Sequence, residues 1–197
     1  MRPYMQQSPM NEQLQDATTR QQTRAYAAWY GVQVGLCWIA SFGLIIYGLK
    51  APLAGHIGLA FGIFSVPIAI KLMRQFRDQI AELPLRRAWH MALMLYLCAA
   101  LLLAFAQYIY FAYIDGGYMA RSYGEILTSP EYRPMLEAML PGQDFDQLAN
   151  DIITTFSTIS PARLAVQMLP LSLFLAIILA VPTAFLSFSK PTNNGNK

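Results

Sequence analysis

Stretches without charged residues alternate with shorter charged segments along this chain. Asp, Glu, Lys and Arg are all absent from residues 25–49, 51–70, 88–114 and 164–189. About 20 helical residues, each rising about 1.5 Å, cross the roughly 30 Å of hydrocarbon in a bilayer. Each stretch is long enough for one crossing, so the pattern predicts an all-α, polytopic membrane protein with four transmembrane helices.

Aromatic residues and prolines place the ends of these helices. Trp and Tyr prefer the headgroup boundary, and Trp29 and Tyr30 lie near the start of the first uncharged stretch. Pro52 suits the first turn of the second helix, and it follows the first span so closely that the two must form an antiparallel hairpin. The predicted spans cover about residues 27–49, 52–70, 89–113 and 162–188.

The segment between spans 3 and 4, residues 115–160, also has a helical pattern. Ser129 and Pro130 are typical of a helix start, and the helix that follows is expected to bury Met135, Leu136, Met139 and Leu140. Asp144 with Gln147 resembles a capping box that opens a second helix. We expect two short amphipathic helices on the extracytoplasmic side, lying against the membrane surface or the end of the bundle.

The two ends of the chain lack an apolar pattern. Residues 1–24 contain six glutamines and no helical apolar stripe, so little apolar surface could be buried to offset the entropy of ordering. This composition predicts a disordered cytoplasmic tail over 1–24, a membrane domain over 25–190 and a second cytoplasmic tail over 191–197. The first apolar stretch is expected to remain as an anchor, because no small-residue cleavage site follows closely behind it.

The charges that remain are distributed unevenly between the two sides of the membrane. The chain has 14 Lys and Arg, 11 Asp and Glu, and a net charge of +3. Ten of the 14 basic residues fall in the two tails and in the loop between spans 2 and 3, so the positive-inside rule places both termini in the cytoplasm. The basic residues cluster at helix ends, not in a stripe with stacking aromatics, which argues against nucleic acid as a partner. The loop arginines expected to contact lipid headgroups are Arg74, Arg77, Arg86 and Arg87.

Small residues recur at intervals of four and eight along the two helices of the hairpin. Such spacing lets helix backbones approach closely in a membrane. Packing between the two hairpin helices is the simpler interpretation, and self-association through one stripe is the alternative. The residues are Gly31, Gly35 and Gly43 in span 1 and Ala54, Gly58 and Gly62 in span 2.

Polar side chains inside the spans are the candidates for intramembrane chemistry. They are Gln33, His56, Gln107 and Gln167. No Asp or Glu lies in the uncharged stretches, so His56 has no ionised partner at membrane depth, where charges are usually paired. We therefore interpret all four as hydrogen-bonding groups, and the sequence identifies no catalytic residue, no metal ligand set and no cofactor.

Two further features have a reactive and an inert interpretation. Asp78 and Glu82 lie four residues apart and could pair to hold a metal, but neighbouring arginines are expected to neutralise them. Cys37 and Cys98 have no second cysteine nearby, and we expect both to be buried free thiols.

Three motifs of the chain resemble those of a known family. They are KLMRQFRDQ at 71–79, RRAW at 86–89 and QYIYFAYID at 107–115. In these segments and in the helical segment before the last span, the chain resembles the bacterial four-span membrane proteins of the domain of unknown function 4199 family. The resemblance implies a bacterial inner-membrane protein and carries no activity, substrate or site residue with it.

These observations favour one functional class and leave two others open. The leading hypothesis is a non-enzymatic component of the bilayer that binds another membrane or envelope protein, or a second copy of itself. The alternative is a small transporter or permease subunit that oligomerises around a polar path lined by Gln33, His56, Gln107 and Gln167. A third hypothesis is a membrane enzyme whose arginine-rich loop grips the phosphates of a lipid-linked substrate.

The charge distribution predicts the sidedness of each loop. Reporter fusions after Lys50, Glu82, Gln143 and Lys197 are expected to read outside, inside, outside and inside. Paired enzymatic reporters that are active on only one side of the membrane measure this directly. An external reading at Glu82 would contradict the predicted topology.

Overall fold

The fold, seen in a computed structural model that describes residues 9–80 and 83–188, is entirely helical in that part of the chain. It consists of α1 (Pro9–Gly48), α2 (Pro52–Gln79), α3 (Leu85–Ile109), a π-helical turn (Tyr110–Ile114), α4 (Tyr118–Thr128), α5 (Arg133–Met139), α6 (Phe145–Thr158) and α7 (Pro161–Ser187). Four segments are long and apolar enough to cross a bilayer, namely Gln21–Gly48, Pro52–Gln79, Leu85–Ile114 and Pro161–Ser187. The prediction of an all-α protein with four membrane helices is confirmed.

Two of the long helices extend beyond the predicted spans. α1 begins at Pro9, inside the segment for which the sequence predicts a disordered tail; residues 1–8 and the predicted tail 191–197 lie outside the described residues. Gln, Arg and Ala in this segment are good helix formers that can extend an existing helix. α2 continues to Gln79, because Met73 and Phe76 of its charged end are buried in the core.

The four long helices form a closed ring in which each packs mainly against two neighbours. α1 packs against α2 and α3, and α7 packs against α3 and, less extensively, α2. Gly31 and Gly35 of α1 meet successive turns of α3 in the same direction, so these two helices are parallel. We call the end of the bundle that adjoins α4, α5 and α6 the cap end, and these three helices the cap.

One chain of side-chain contacts at the centre of the bundle joins all four long helices. The indole Nε1 of Trp38 in α1 donates a hydrogen bond to Ser65 Oγ of α2 at 2.9 Å. The Trp38 ring stacks on the Tyr96 ring of α3, with centroids 5.9 Å apart. The Tyr96 hydroxyl lies 2.9 Å from Thr183 Oγ1 of α7. We call Trp38, Ser65, Tyr96 and Thr183 the central polar chain.

Glycines bring the backbone of α1 close to two different helices. A Cβ on Gly31 would lie 2.6 Å from both Cys98 Cβ and the Leu95 carbonyl oxygen, both on α3. A Cβ on Gly35 would lie 3.2 Å from Ala99 Cα of the same helix. The expectation that these two glycines pack within the hairpin is therefore wrong, because they lie on the face of α1 that contacts α3.

The hairpin itself is closed by other small residues. A Cβ on Gly58 of α2 would lie 2.9 Å from Ser41 O and Ile45 N of α1, and one on Gly62 would lie 3.2 Å from Ser41 Oγ. Gly48 and Gly55, which the stripes did not include, bring the two backbones together near the turn. Ala54 is half-buried beside that turn, and Gly43 has open space around it.

Two glycine substitutions in α1 test which positions are closely packed and which are open. Gly31→Leu forces a side chain against α3, and overpacking of this kind costs about 1 to 3 kcal/mol. Gly43→Leu makes the same change on the same helix where nothing lies within 4 Å. We expect a lower melting temperature in detergent for Gly31→Leu and one near the parent's for Gly43→Leu. Equal melting of the two variants would contradict this packing.

Removing one hydroxyl tests the central polar chain. Tyr96→Phe keeps the stacked ring and removes the hydrogen bond to Thr183, a bond of a kind worth about 0.6 kcal/mol on average and up to about 1.7 kcal/mol between membrane helices. Tyr108→Phe is the matched control, since Tyr108 is an exposed residue of the same helix. Thermal unfolding should show a lower melting temperature only for Tyr96→Phe. An equal decrease in both variants would show that the hydrogen bond to Thr183 does not stabilise the bundle.

Candidate functional site

The cap begins at a buried carboxylate. Asp115 follows the π-helical turn, and its two oxygens accept hydrogen bonds from the backbone N–H groups of Gly117 at 3.0 Å and Met119 at 3.1 Å. Gly117 has a φ of 77°, a left-handed conformation that favours glycine. The Asp-Gly-Gly sequence therefore turns the chain out of α3 and caps the first turn of α4.

The cap contains one helix that the sequence analysis missed. α4 packs against α6, and a Cβ on Gly124 would lie 3.0 Å from Ile153 Cδ1. α6 begins as predicted, with the Asp144 carboxylate accepting hydrogen bonds from the N–H groups of Asp146 and Gln147 at 3.0 Å. The Gly124 contact is visible only after α4 and α6 are placed together.

Apolar and cationic contacts attach the cap to the bundle. Phe111 and Met119 form a buried cluster with Ile46 of α1 and Leu164 of α7. Lys50, in the turn between α1 and α2, lies 4.7 Å from the centre of the Tyr118 ring, within the range of a cation–π interaction. The turn of the hairpin is thus a second point of attachment for α4.

α5 is held by charged contacts at the surface. The Arg133 guanidinium lies 3.2 Å from Glu137 and 3.6 Å from Asp146, and it also lies 5.5 Å from the centre of the Phe145 ring. The hydrogen bond to Glu137, with help from Asp146, raises the pKa of Arg133. Glu137 belongs to α5 itself, so the ion pair that reaches α6 is the one with Asp146. Exposed ion pairs are weak, and α5 is therefore only loosely fixed to α6.

The apolar side chains of α5 are exposed, which corrects the expectation that this helix buries them. No residue of α5 is buried. The exposed fractions are 56% for Met135, 70% for Met139 and 51% for Leu140, and Leu136 is half-buried. We call Met135, Met139 and Leu140 the methionine patch. It is apolar surface outside the spans, and such patches mark contact sites for proteins or membranes.

A cavity of about 610 Å³, with apolar and polar residues in its wall, lies between the cap and the bundle. Its wall includes Asp115, Arg121 and Ser157. Both Asp115 oxygens are occupied by backbone N–H groups, so this carboxylate serves as a structural cap of α4.

The predicted intramembrane polar residues do not converge on one path. His56 is exposed, and its Nδ1 lies 2.8 Å from the Pro52 carbonyl oxygen. Gln107 is buried, Gln33 is half-buried and Gln167 is exposed. Gln33 lies roughly two turns from the level of Gln107 along the parallel helices α1 and α3. A transport path through all four residues is not formed within one chain.

The predicted loop arginines occupy the end of the bundle opposite the cap. Arg74 Nε donates to the Leu186 carbonyl oxygen of α7 at 3.0 Å, and Arg77 lies 3.2 Å from Asp78. Arg86 is exposed and Arg87 is half-buried. Glu82, the other half of the proposed carboxylate pair, lies outside the described residues. Cys37 and Cys98 are both free and half-buried.

Comparison with known proteins places the chain in a family. No curated protein and no solved structure matches it. Residues 29–187 match the model of the family described as "Protein of unknown function (DUF4199)". The match begins in α1 and ends with α7, so it includes the cap, the last three membrane helices and most of the first. It confirms the resemblance carried by the three sequence motifs. The chain therefore belongs to the DUF4199 family.

Proposed function

We propose that this protein is a non-enzymatic component of a bacterial inner membrane, with cytoplasmic termini, that docks a partner protein on its cap. The observation that carries the proposal is the methionine patch. Met135 and Met139 of α5, and Leu140 directly after it, are each more than half exposed outside the spans. Methionine is flexible and polarizable, which suits it to contact surfaces that adapt to a partner.

The small residues pack mostly within the chain, which leaves the cap as the better surface for a partner. The space beside Gly31 and Gly35 is filled by α3, and the space beside Gly58 is filled by α1. These close approaches lie within one chain, so the stripes are not available as the main contact with a second membrane protein. Gly43 keeps open space, but one small residue is a short contact surface compared with α5.

The charge of the cap favours a protein over a lipid surface. Seven of the 11 acidic residues lie between Asp115 and Asp151, where the only basic residues are Arg121 and Arg133. Helices that bind membrane surfaces are typically rich in Lys and Arg, which attract anionic lipids. An acidic cap with an apolar patch instead complements a protein groove that is apolar inside and basic at its rim.

Site-specific photocrosslinking tests this docking. A benzoylphenylalanine at position 138, an exposed alanine of α5, is expected to capture a protein in intact cells. Replacing the patch by Met135→Ser, Met139→Ser and Leu140→Ser should reduce capture about tenfold or more, because apolar anchors at interfaces are each worth on the order of 1 to 2 kcal/mol.

Two controls separate loss of the patch from loss of the fold. Met135→Leu with Met139→Leu keeps apolar surface at both positions and should retain capture. His56→Ala changes an exposed residue of a span and should also retain it. Crosslinks to lipid alone, or capture that the serine variant leaves unchanged, would contradict a protein partner. A product of twice the chain mass would identify the partner as a second copy.

A further inference from the structure

A second cavity, of about 480 Å³, lies within the membrane-spanning bundle. All four long helices contribute to its wall. The buried back of the cavity includes Trp38, Ser41, Leu103, Gln107 and Ser172. Its volume is within the range of small-molecule sites in proteins, about 300 to 1,000 Å³.

The mouth of this cavity faces the hydrocarbon of the bilayer. Leu59 and Ile63 of α2 and Leu171 and Leu175 of α7 line it and are all exposed. α2 and α7 are the neighbours in the ring that contact each other least. A molecule dissolved in the membrane can therefore enter sideways between these two helices, and the apolar wall suits an apolar chain.

One polar group in the wall has an unused hydrogen-bonding atom. Gln107 is only 5% exposed, and its Nε2 donates to Met168 Sδ at 3.8 Å. Its Oε1 is buried and has no hydrogen-bond partner among the described residues. An amide oxygen accepts up to two hydrogen bonds, and leaving it unsatisfied in an apolar environment is unfavourable.

The other polar side chains of the cavity donate their hydrogens elsewhere. Ser41 Oγ donates its single hydrogen to the Gly58 carbonyl oxygen at 2.7 Å. Ser172 Oγ donates its own to the Met168 carbonyl oxygen at 3.4 Å. The Trp38 Nε1–H is bonded to Ser65. The donor for Gln107 must come from outside these groups.

We propose that this cavity binds a membrane-soluble molecule made of an apolar chain and a hydroxyl head group. The chain lies between α2 and α7. The Gln107 side chain, whose Oε1 is covered by its neighbours in the structure, turns toward the cavity so that the hydroxyl donates its hydrogen to Oε1. The site is separate from the methionine patch, so it can hold or fail independently of the docking proposed above. Diacylglycerols and quinols are two natural sources of such a head group.

Photolabelling of the full chain in nanodiscs tests the proposal with two matched probes. One is a long-chain alcohol that carries a diazirine, and the other is its methyl ether, which has the same chain and no donor. The alcohol is expected to label residues of the cavity about two- to tenfold more than the ether, which corresponds to one net hydrogen bond. Equal labelling by the two probes would overturn the proposal.

Variants locate the label within the molecule. Gln107→Leu should lower labelling by the alcohol to the level of the ether, whereas Gln167→Leu, the same change at an exposed glutamine of α7, should not. Leu175→Trp should block both probes at the mouth, and Ile178→Trp, another exposed residue of α7 outside the cavity wall, should block neither. Unchanged labelling of Gln107→Leu would overturn the role of the amide.

The remaining measurements exclude misfolding and identify the source of the head group. Melting temperatures show whether each variant folds. If Gln107→Leu fails to fold, the ratio of alcohol to ether labelling in the parent chain alone tests the proposal. Excess unlabelled diacylglycerol and excess quinol are then tested as competitors. The one that competes is the class of ligand, and competition by neither counts against the site.

Discussion

Hydrocarbon offers no hydrogen bonds, so the polar side chains within the membrane must find partners inside the protein. The central polar chain meets this constraint by linking one residue from each long helix: Trp38 bonds to Ser65, its ring stacks on Tyr96, and Tyr96 bonds to Thr183. Separating α1 from α2, or α3 from α7, would leave a donor or acceptor without a partner, and separating α1 from α3 would part the stacked rings. The chain thus holds the four helices in one arrangement, where apolar packing alone would allow several.

Close packing of small residues then determines where the ring is tight and where it is open. Glycines bring α1 against both α3 and α2, so three helices form a closely packed group. α7 is joined to α3 by Tyr96 and to the end of α2 by Arg74. α2 and α7 have the smallest contact of any neighbours in the ring, and the lateral cavity opens between them. Gln107 lies in the wall of that cavity. Unlike the residues of the central polar chain, it has an oxygen, Oε1, without a hydrogen-bond partner.

The cap follows a different balance of forces, because it lies outside the spans. α4 is attached firmly through Asp115, Met119 and the packing of Gly124 on α6. α5 is tied to α6 mainly by Arg133, which pairs with Asp146 and lies over the Phe145 ring, and its apolar residues point outward. A rigid base that carries a loosely held apolar helix is an arrangement suited to contact with another molecule, and the acidic charge around it limits which surfaces it can approach.

The sequence by itself determined the elements whose cause is local. Uncharged stretches defined the four membrane helices, since length and hydropathy suffice for that, and Asp144 defined the start of α6 through its own capping bonds. The family was also indicated by three short motifs, each a continuous stretch of sequence, and the family match agrees. Tertiary structure alone decided which helix each glycine touches, because a stripe of small residues is equally suited to any neighbour. It also decided that Met135 and Met139 remain exposed and that Gln107 lacks a partner, since exposure and hydrogen bonding depend on residues distant in the chain.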